Sequence, residues 1–146
     1  MNSLWRLSHK LYGMGRMLRP LARLFEILQQ VIYSNAISSM CEIGEGTVFL
    51  HHGMGCTVHM NAKIGVNYEI FTNSVLGDNW SGCVRTGKAP SVGDNVMIGT
   101  GAVILGEVTI DDRCIIGANA VITKDIPPGS LVVGSNRILK RDNRAV

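Results

Sequence analysis

The stretch VGDNVMIGTGAVILGEVTIDDRCIIGANAVITKDI, from Val92 to Ile126, decides the fold because aliphatic residues recur in it at every sixth position. This column contains Val92, Ile98, Ile104, Ile110, Ile116 and Ile122. A helix or an alternating strand would repeat about every 3.6 or 2 residues instead. A period of six is typical of a chain that forms a short strand, turns a corner and repeats, so that three segments close one triangular coil. The sequence therefore predicts a parallel β-helix, in which residues 18 apart stack on one another. The expected pairs are Val92 with Ile110, Ile98 with Ile116, and Ile104 with Ile122.

Small residues accompany this column at regular offsets. Glycine follows the aliphatic residue at Gly93, Gly99 and Gly117, where we expect a turning backbone that needs a residue without a Cβ. The small residues that suit a tight interior corner are Ala102, Cys114 and Ala120.

The column continues upstream, but an insertion interrupts it. Its earlier members are Ile37, Ile43, Val58, Ile64, Ile70 and Leu76. The step from Ile43 to Val58 is fifteen residues, so three residues are out of register, and His51, His52 and His59 lie in this region. Because solenoids place insertions where function is located, we take this region as the candidate site.

A second insertion follows Leu76: the step to Val92 is sixteen residues instead of six, and the ten extra residues lie at the segment DNWSGCVRTGKAP. It predicts a loop that protrudes from one corner at about residues 78–90 and carries Trp80, Arg85 and Lys88. Loops of this size on a regular scaffold are usually functional.

Length and composition indicate one globular domain: 146 residues, 46% hydrophobic and 17% charged, with a net charge of +3. We expect a helical segment at residues 1–33, the β-helix at 34–136 and a basic tail at 137–146. No apolar run reaches the roughly 18 residues of a membrane span, and no secretory signal is evident, so we expect a cytoplasmic protein. The four cysteines have no paired spacing and are interpreted as reduced, buried thiols.

Residues 3–33 show apolar positions at intervals of three and four, which predicts two helices separated at Pro20, the expected first residue of the second helix. Residues 1–33 carry a net charge of +4. We expect this hairpin to pack on the first coils or on a neighbouring subunit. The alternative is a helix that lies on a membrane surface, with Trp5 as its anchor.

The histidines offer three kinds of chemistry. A histidine can remove a proton near neutral pH, ligate a metal or serve only the structure. His52 and His59 are seven residues apart and no further ligand follows, so we expect no metal.

The chain closely resembles the hexapeptide-repeat acyltransferases, and within them the serine O-acetyltransferase branch, over nearly its whole length. The segments that carry the resemblance are HGMGCTVHMNAKIG, PSVGDNVMIGTGAVILG and IGANAVITKDIPP. The residues LWRLSHKLYGMGRMLRPLARLFEILQQ also resemble the last helices of that branch's amino-terminal domain. The resemblance implies a left-handed β-helix, a homotrimer with sites between subunits, and acetyl-CoA as co-substrate without a metal.

The resemblance also implies roles for individual residues. His52 corresponds to the general base that deprotonates the acceptor hydroxyl. The positions implied for CoA binding are Thr100, Ala118, Thr123, Lys124 and Arg137. We expect His51, His59 and Trp80 near the acceptor, and Cys56 to be structural.

Departures from the branch bear on the acceptor. The segment NAISS lacks the acid that orients the catalytic histidine in the branch. His51 stands where the branch has an acid directly before that histidine, and Ala89 replaces a histidine of the loop. Because a serine ammonium favours nearby carboxylates, we expect a sugar of a surface polysaccharide as acceptor, with serine as the alternative. Asn35 or a backbone carbonyl is the candidate to orient His52. Alternatives of other classes are a zinc-dependent lyase of the same fold and a non-catalytic assembly subunit.

Overall fold

The structure, a computed structural model, describes residues 3–81 and 84–139; the side chains of Trp80 and Ser81 lie outside this description. Two helices precede a left-handed parallel β-helix whose strands are two or three residues long. Helix α1 spans Ser3–Gly13, a 3-10 turn spans Arg16–Leu18, and helix α2 spans Arg19–Tyr33. Pro20 is therefore the second residue of α2, one position later than expected.

Parallel sheets form the three faces of the prism. The first face contains β1 (Ala36–Ile37), β4 (Thr57–Val58), β7 (Val75–Gly77), β12 (Val103–Leu105) and β15 (Val121–Ile122). The second contains β2 (Glu42–Ile43), β5 (Lys63–Ile64), β10 (Ser91–Val92) and β13 (Thr109–Ile110). The third contains β3 (Val48–Phe49), β6 (Glu69–Ile70), β11 (Met97–Ile98), β14 (Ile115–Ile116) and β16 (Leu131–Val133), with β17 (Arg137–Leu139) antiparallel at its edge. Strands β8 (Trp80–Ser81) and β9 (Val84–Arg85) form a separate antiparallel hairpin.

The aliphatic column fills the interior as predicted. All three expected pairs of residues 18 apart are partners in neighbouring parallel strands. The side chains of Ile98 and Ile116 are fully buried, as are those of Ile104 and Ile122. Since each coil removes the apolar side chains of its neighbours from water, the hydrophobic effect favours continued stacking.

The three glycines that directly follow the aliphatic column serve close packing rather than turning. Gly93, Gly99 and Gly117 are not among the residues with positive φ. A Cβ at Gly99 would lie 2.7 Å from the backbone nitrogen of Ala118 in the next coil. Left-handed positions are taken instead by other glycines, such as Gly101, and by asparagines, including Asn67 and Asn95, because both residue types tolerate positive φ. Our expectation of a turning backbone is thus wrong at Gly93, Gly99 and Gly117.

The helical hairpin covers the edge strand β1 with polar side chains. The Trp5 indole Nε1 donates to the carbonyl of Ser38 at 2.9 Å, and the Gln29 amide donates to the carbonyl of Ile37 at 3.1 Å. The backbone nitrogen of Ser39 donates to the Glu26 carboxylate at 2.6 Å. These hydrogen bonds supply partners to backbone groups of residues 37–39, which have no preceding coil to pair with.

The structure contradicts the role of Trp5 as a membrane anchor. Its side chain is 4% exposed and stacks on His9 with ring centroids 4.7 Å apart, so it cannot enter lipid. No helix within residues 3–81 or 84–139 is long and apolar enough to cross a membrane. Arg137–Leu139, which we expected in the basic tail, pairs with β16 as an antiparallel strand, and residues 140–146 lie outside the described residues.

We predict that Gly99→Ala destabilises the protein, because the added methyl group would press on the backbone of the next coil. Overpacking of this kind costs about 1–3 kcal/mol and lowers the melting temperature in thermal unfolding followed by circular dichroism. Gly13→Ala is the matched control, since no atom lies within 4 Å of a Cβ there and its φ is not positive. Equal melting temperatures for the two variants would contradict this account of the repeat.

Candidate active site

The first insertion forms a strained turn between β3 and β4. The segment Leu50–Gly53 is kinked, because His51 and His52 have left-handed backbones with φ of 51° and 60°. Gly53 and Gly55 also have positive φ, at 76° and 70°. Left-handed conformations are costly for residues other than glycine, and they cluster at functional sites. The strained backbone of this turn is therefore typical of a functional site rather than of a simple connecting loop.

Two residues hold His52 in this turn: Tyr33, the last residue of α2, and Asn35, two residues beyond it. The ring of Tyr33 stacks on the His52 imidazole, with centroids 5.0 Å apart and planes inclined by 21°. The amide of Asn35, which is buried, donates to the backbone carbonyl of His52 at 3.0 Å. Asn35 thus orients the backbone, and the aromatic ring restricts the imidazole. The sequence did not predict this role of Tyr33, because only the folded chain brings residues 33 and 52 together.

Within the segment NAISS, Ala36 lies in β1 and is exposed. His51 is also exposed, and its backbone carbonyl accepts a hydrogen bond from Met54 at 3.2 Å. Neither residue supplies a carboxylate beside His52.

A cleft of about 310 Å³ lies between α2 and the first face. Its polar lining includes Arg23, Glu26, Gln29, Asn35 and His59. Asn35 links this cleft to His52, since its side chain borders the cleft and contacts the turn. The backbone nitrogen of Asn61 donates to His59 Nδ1 at 3.2 Å, so a neutral His59 carries its proton on Nε2. Arg23 and Glu26 form an ion pair at 3.3 Å, which places charges of both signs at the cleft.

Ion pairs hold the protruding hairpin against the adjoining residues. The Arg85 guanidinium makes two hydrogen bonds to the Asp78 carboxylate, at 3.0 and 2.9 Å. Arg85 therefore holds the pKa of the Asp78 carboxyl below its usual value. Lys88 forms an ion pair with Glu107. Trp80 begins β8, and its side chain lies outside the described residues.

The positions implied for CoA binding are exposed and fall into two groups. Thr100 and Ala118 occupy one corner in successive coils, because the nitrogen of Asn119 donates to the carbonyl of Thr100 at 2.9 Å. Thr123 is bonded to Asn136, which is adjacent to Arg137. The sequence did not predict a role for Asn136, since that role depends on a contact across the last coil. Lys124 follows Thr123 on the surface.

The cysteine near the site is unsuited to nucleophilic catalysis. Burial raises the pKa of the Cys56 thiol, and its sulfur donates to the carbonyl of Phe71 at 3.2 Å. Cys41, Cys56 and Cys114 are all buried and free of disulfides. Over the described ranges, 3–81 and 84–139, no three histidine, cysteine or acidic side chains are grouped so as to hold a metal ion.

Comparison with known proteins relates this geometry to one family. The family model "Bacterial transferase hexapeptide (six repeats)" matches residues 89–124. A serine acetyltransferase of Staphylococcus xylosus is 35% identical over 141 residues, which are 96% of this chain and 63% of that protein. One from Helicobacter pylori (strain ATCC 700392 / 26695) is 35% identical over 131 residues, which are 90% of this chain and 74% of that protein.

Solved structures agree with these relatives. Soybean serine acetyltransferase complexed with serine superposes with a TM-score of 0.83 at 34% identity, covering 93% of this chain and 54% of that one. A serine acetyltransferase in complex with CoA superposes with a TM-score of 0.78 at 28% identity, again covering 93% and 54%. The chain thus spans about half the length of these solved proteins. By fold, repeat and sequence, the chain belongs to the serine acetyltransferase family of hexapeptide-repeat transferases.

Proposed function

We propose that the chain is an acetyl-CoA-dependent O-acetyltransferase in which His52 is the general base. The observation that carries the proposal is the placement of His52 in a strained turn, held by Tyr33 and by Asn35, whose side chain also lines the neighbouring cleft. The relatives that share the fold are named serine acetyltransferases, and one of the solved structures is a complex with CoA.

The chemistry would be a direct transfer. His52 removes the proton of the acceptor hydroxyl, and the oxygen attacks the thioester carbonyl of acetyl-CoA. The tetrahedral intermediate then expels CoA, and the proton on His52 goes to the departing sulfur. General base catalysis contributes about 10²–10⁴-fold, and alignment of the two substrates adds to it. The protonated, buried thiol of Cys56 argues against a covalent acyl-enzyme.

For the co-substrate, we propose that Thr100 and Ala118 flank the narrow pantetheine arm. Lys124 and Arg137 would pair with the phosphates, since both are exposed cations near the end of the β-helix. A homotrimer with a site between adjacent subunits is part of the same proposal, and it rests on the resemblance to the family.

For the acceptor, the relatives favour L-serine over the sugar hydroxyl that the departures suggest. The opposite charges of Arg23 and Glu26 at the cleft suit the two charged groups of an amino acid. The second candidate, a sugar hydroxyl, is favoured by a specific observation: the segment NAISS and His51 carry no carboxylate that could bind the ammonium group of serine.

We predict that His52→Asn lowers kcat by about 10² or more, because the general base is removed. Asparagine is chosen because it tolerates the left-handed backbone at this position. His51→Asn is the matched control, since residue 51 has nearly the same φ and is also exposed. The measurement is release of CoA thiol from acetyl-CoA. An equal loss of kcat in both variants, with KM for the acceptor unchanged, would assign the effect to the turn rather than to the base.

We predict that Tyr33→Ala lowers kcat by about two- to tenfold, as expected for the loss of one aromatic stack, while KM for acetyl-CoA stays unchanged. Tyr33→Phe retains the ring and should retain most of the activity. A larger effect on KM than on kcat would show that Tyr33 binds substrate instead of positioning His52.

The acceptor can be identified by thiol release from acetyl-CoA with L-serine, with a panel of free sugars and with no acceptor. We expect serine-dependent release, on the strength of the relatives. Release with a sugar and none with serine would assign the chain to the second candidate. Absence of release with every acceptor, together with absence of CoA binding, would contradict the proposed activity.

A further inference from the structure

Two buried amide side chains line the cleft, and each leaves an oxygen atom without a partner. Gln29, in α2, is 1% exposed, and Asn35, just beyond the helix, is 2% exposed. Among the residues that the structure describes, Gln29 Oε1 and Asn35 Oδ1 have no hydrogen-bond partner. Both residues border the cleft of about 310 Å³. Because a buried acceptor without a donor is costly, the two oxygens indicate a ligand that brings donors into the cleft.

The orientation of each amide is fixed by the group that its nitrogen contacts. Gln29 Nε2 donates to the carbonyl of Ile37 at 3.1 Å, and Asn35 Nδ2 donates to the carbonyl of His52 at 3.0 Å. A backbone carbonyl can only accept, so a flipped amide would place two acceptors against each other in both cases. The wall of the cleft therefore keeps two amide oxygens, and rotation of the side chains cannot turn them into donors.

The carboxylate that borders the same cleft is already bonded. Glu26 accepts a hydrogen bond from the backbone nitrogen of Ser39 through Oε1 and pairs with Arg23 through Oε2. The Glu26 side chain is 18% exposed against 78% for Arg23, so the negative charge lies deeper than the positive one. A primary ammonium suits these surroundings, because it carries a positive charge, three donors and no acceptor. A sugar hydroxyl suits them less well, since it brings lone pairs together with its single proton.

We propose that Gln29 Oε1 and Asn35 Oδ1 bind the ammonium group of an amino-acid acceptor, in place of a carboxylate beside His52. The inference rests on the proposed acetyl transfer and names the residues that select the acceptor. Hydrogen bonds from an ammonium to amide oxygens are charge-assisted and therefore strong. Asn35 is also bonded to the backbone of His52, so an ammonium bound to it lies beside the turn that carries the base. The absence of acids from NAISS and from position 51 is then compatible with serine as the acceptor.

The test compares the affinity for L-serine with that for 3-hydroxypropanoate, which has the same hydroxyl and carboxylate groups but no ammonium. Dissociation constants are measured by isothermal titration calorimetry of the full chain in the presence of CoA, which has no acetyl group to transfer. We expect Gln29→Met to weaken serine binding by about tenfold or more, because methionine has a similar length but no strong acceptor. The affinity for 3-hydroxypropanoate should stay unchanged. Gln30→Met is the matched control, since Gln30 borders the same cleft but is exposed.

A loss of affinity that is confined to L-serine and to Gln29→Met supports the proposal. Equal losses for the two ligands overturn it, because Gln29 would then only hold β1, and so does an unchanged affinity for serine or an equal loss in Gln30→Met. In the unmodified chain, L-serine should bind about tenfold more tightly than 3-hydroxypropanoate. Equal affinities there overturn the proposal even where Gln29→Met does not fold. Release of CoA thiol is measured separately, so turnover of a sugar without binding of serine would overturn this proposal and leave the acetyl transfer standing.

Discussion

The first coil of a β-helix has an open edge, and the rest of this structure depends on how that edge is closed. Every later coil pairs its backbone with the coil before it, but β1 has no such partner. Side chains of the helical hairpin take that place by hydrogen bonding to Ile37, Ser38 and Ser39. Because unpaired backbone groups are costly when buried, the hairpin is part of the β-helix rather than an attachment to it.

Closing the edge with polar side chains also determines where the candidate site lies. It brings the end of α2 onto the first turns of the β-helix, so that Tyr33 and Asn35 reach the strained turn at His52. The same contact leaves a cleft between the helix and the first face. An aromatic ring and an amide thus lie beside the turn, where the ring packs on the imidazole of His52 and the amide orients its backbone.

The closure has a consequence on the other side of the helix. An amphipathic helix normally buries its apolar side, because that burial is the larger source of stability in water. Here the demand for hydrogen bonds at Ile37 and Ser39 reverses the helix and exposes its apolar side. A pattern of spacing alone cannot distinguish the two orientations, because both faces of α2 recur with the same period.

The sequence by itself determined the parallel β-helix, the stacked pairs such as Ile98 with Ile116, and the location of the three histidines at an insertion. These follow from a strict six-residue period, which few backbone arrangements satisfy. Only the tertiary structure decided that Trp5 is buried, that Gly99 serves close packing, and that Tyr33 meets His52. Each of these depends on contacts between segments far apart in the chain, and local periodicity carries no information about which segments meet.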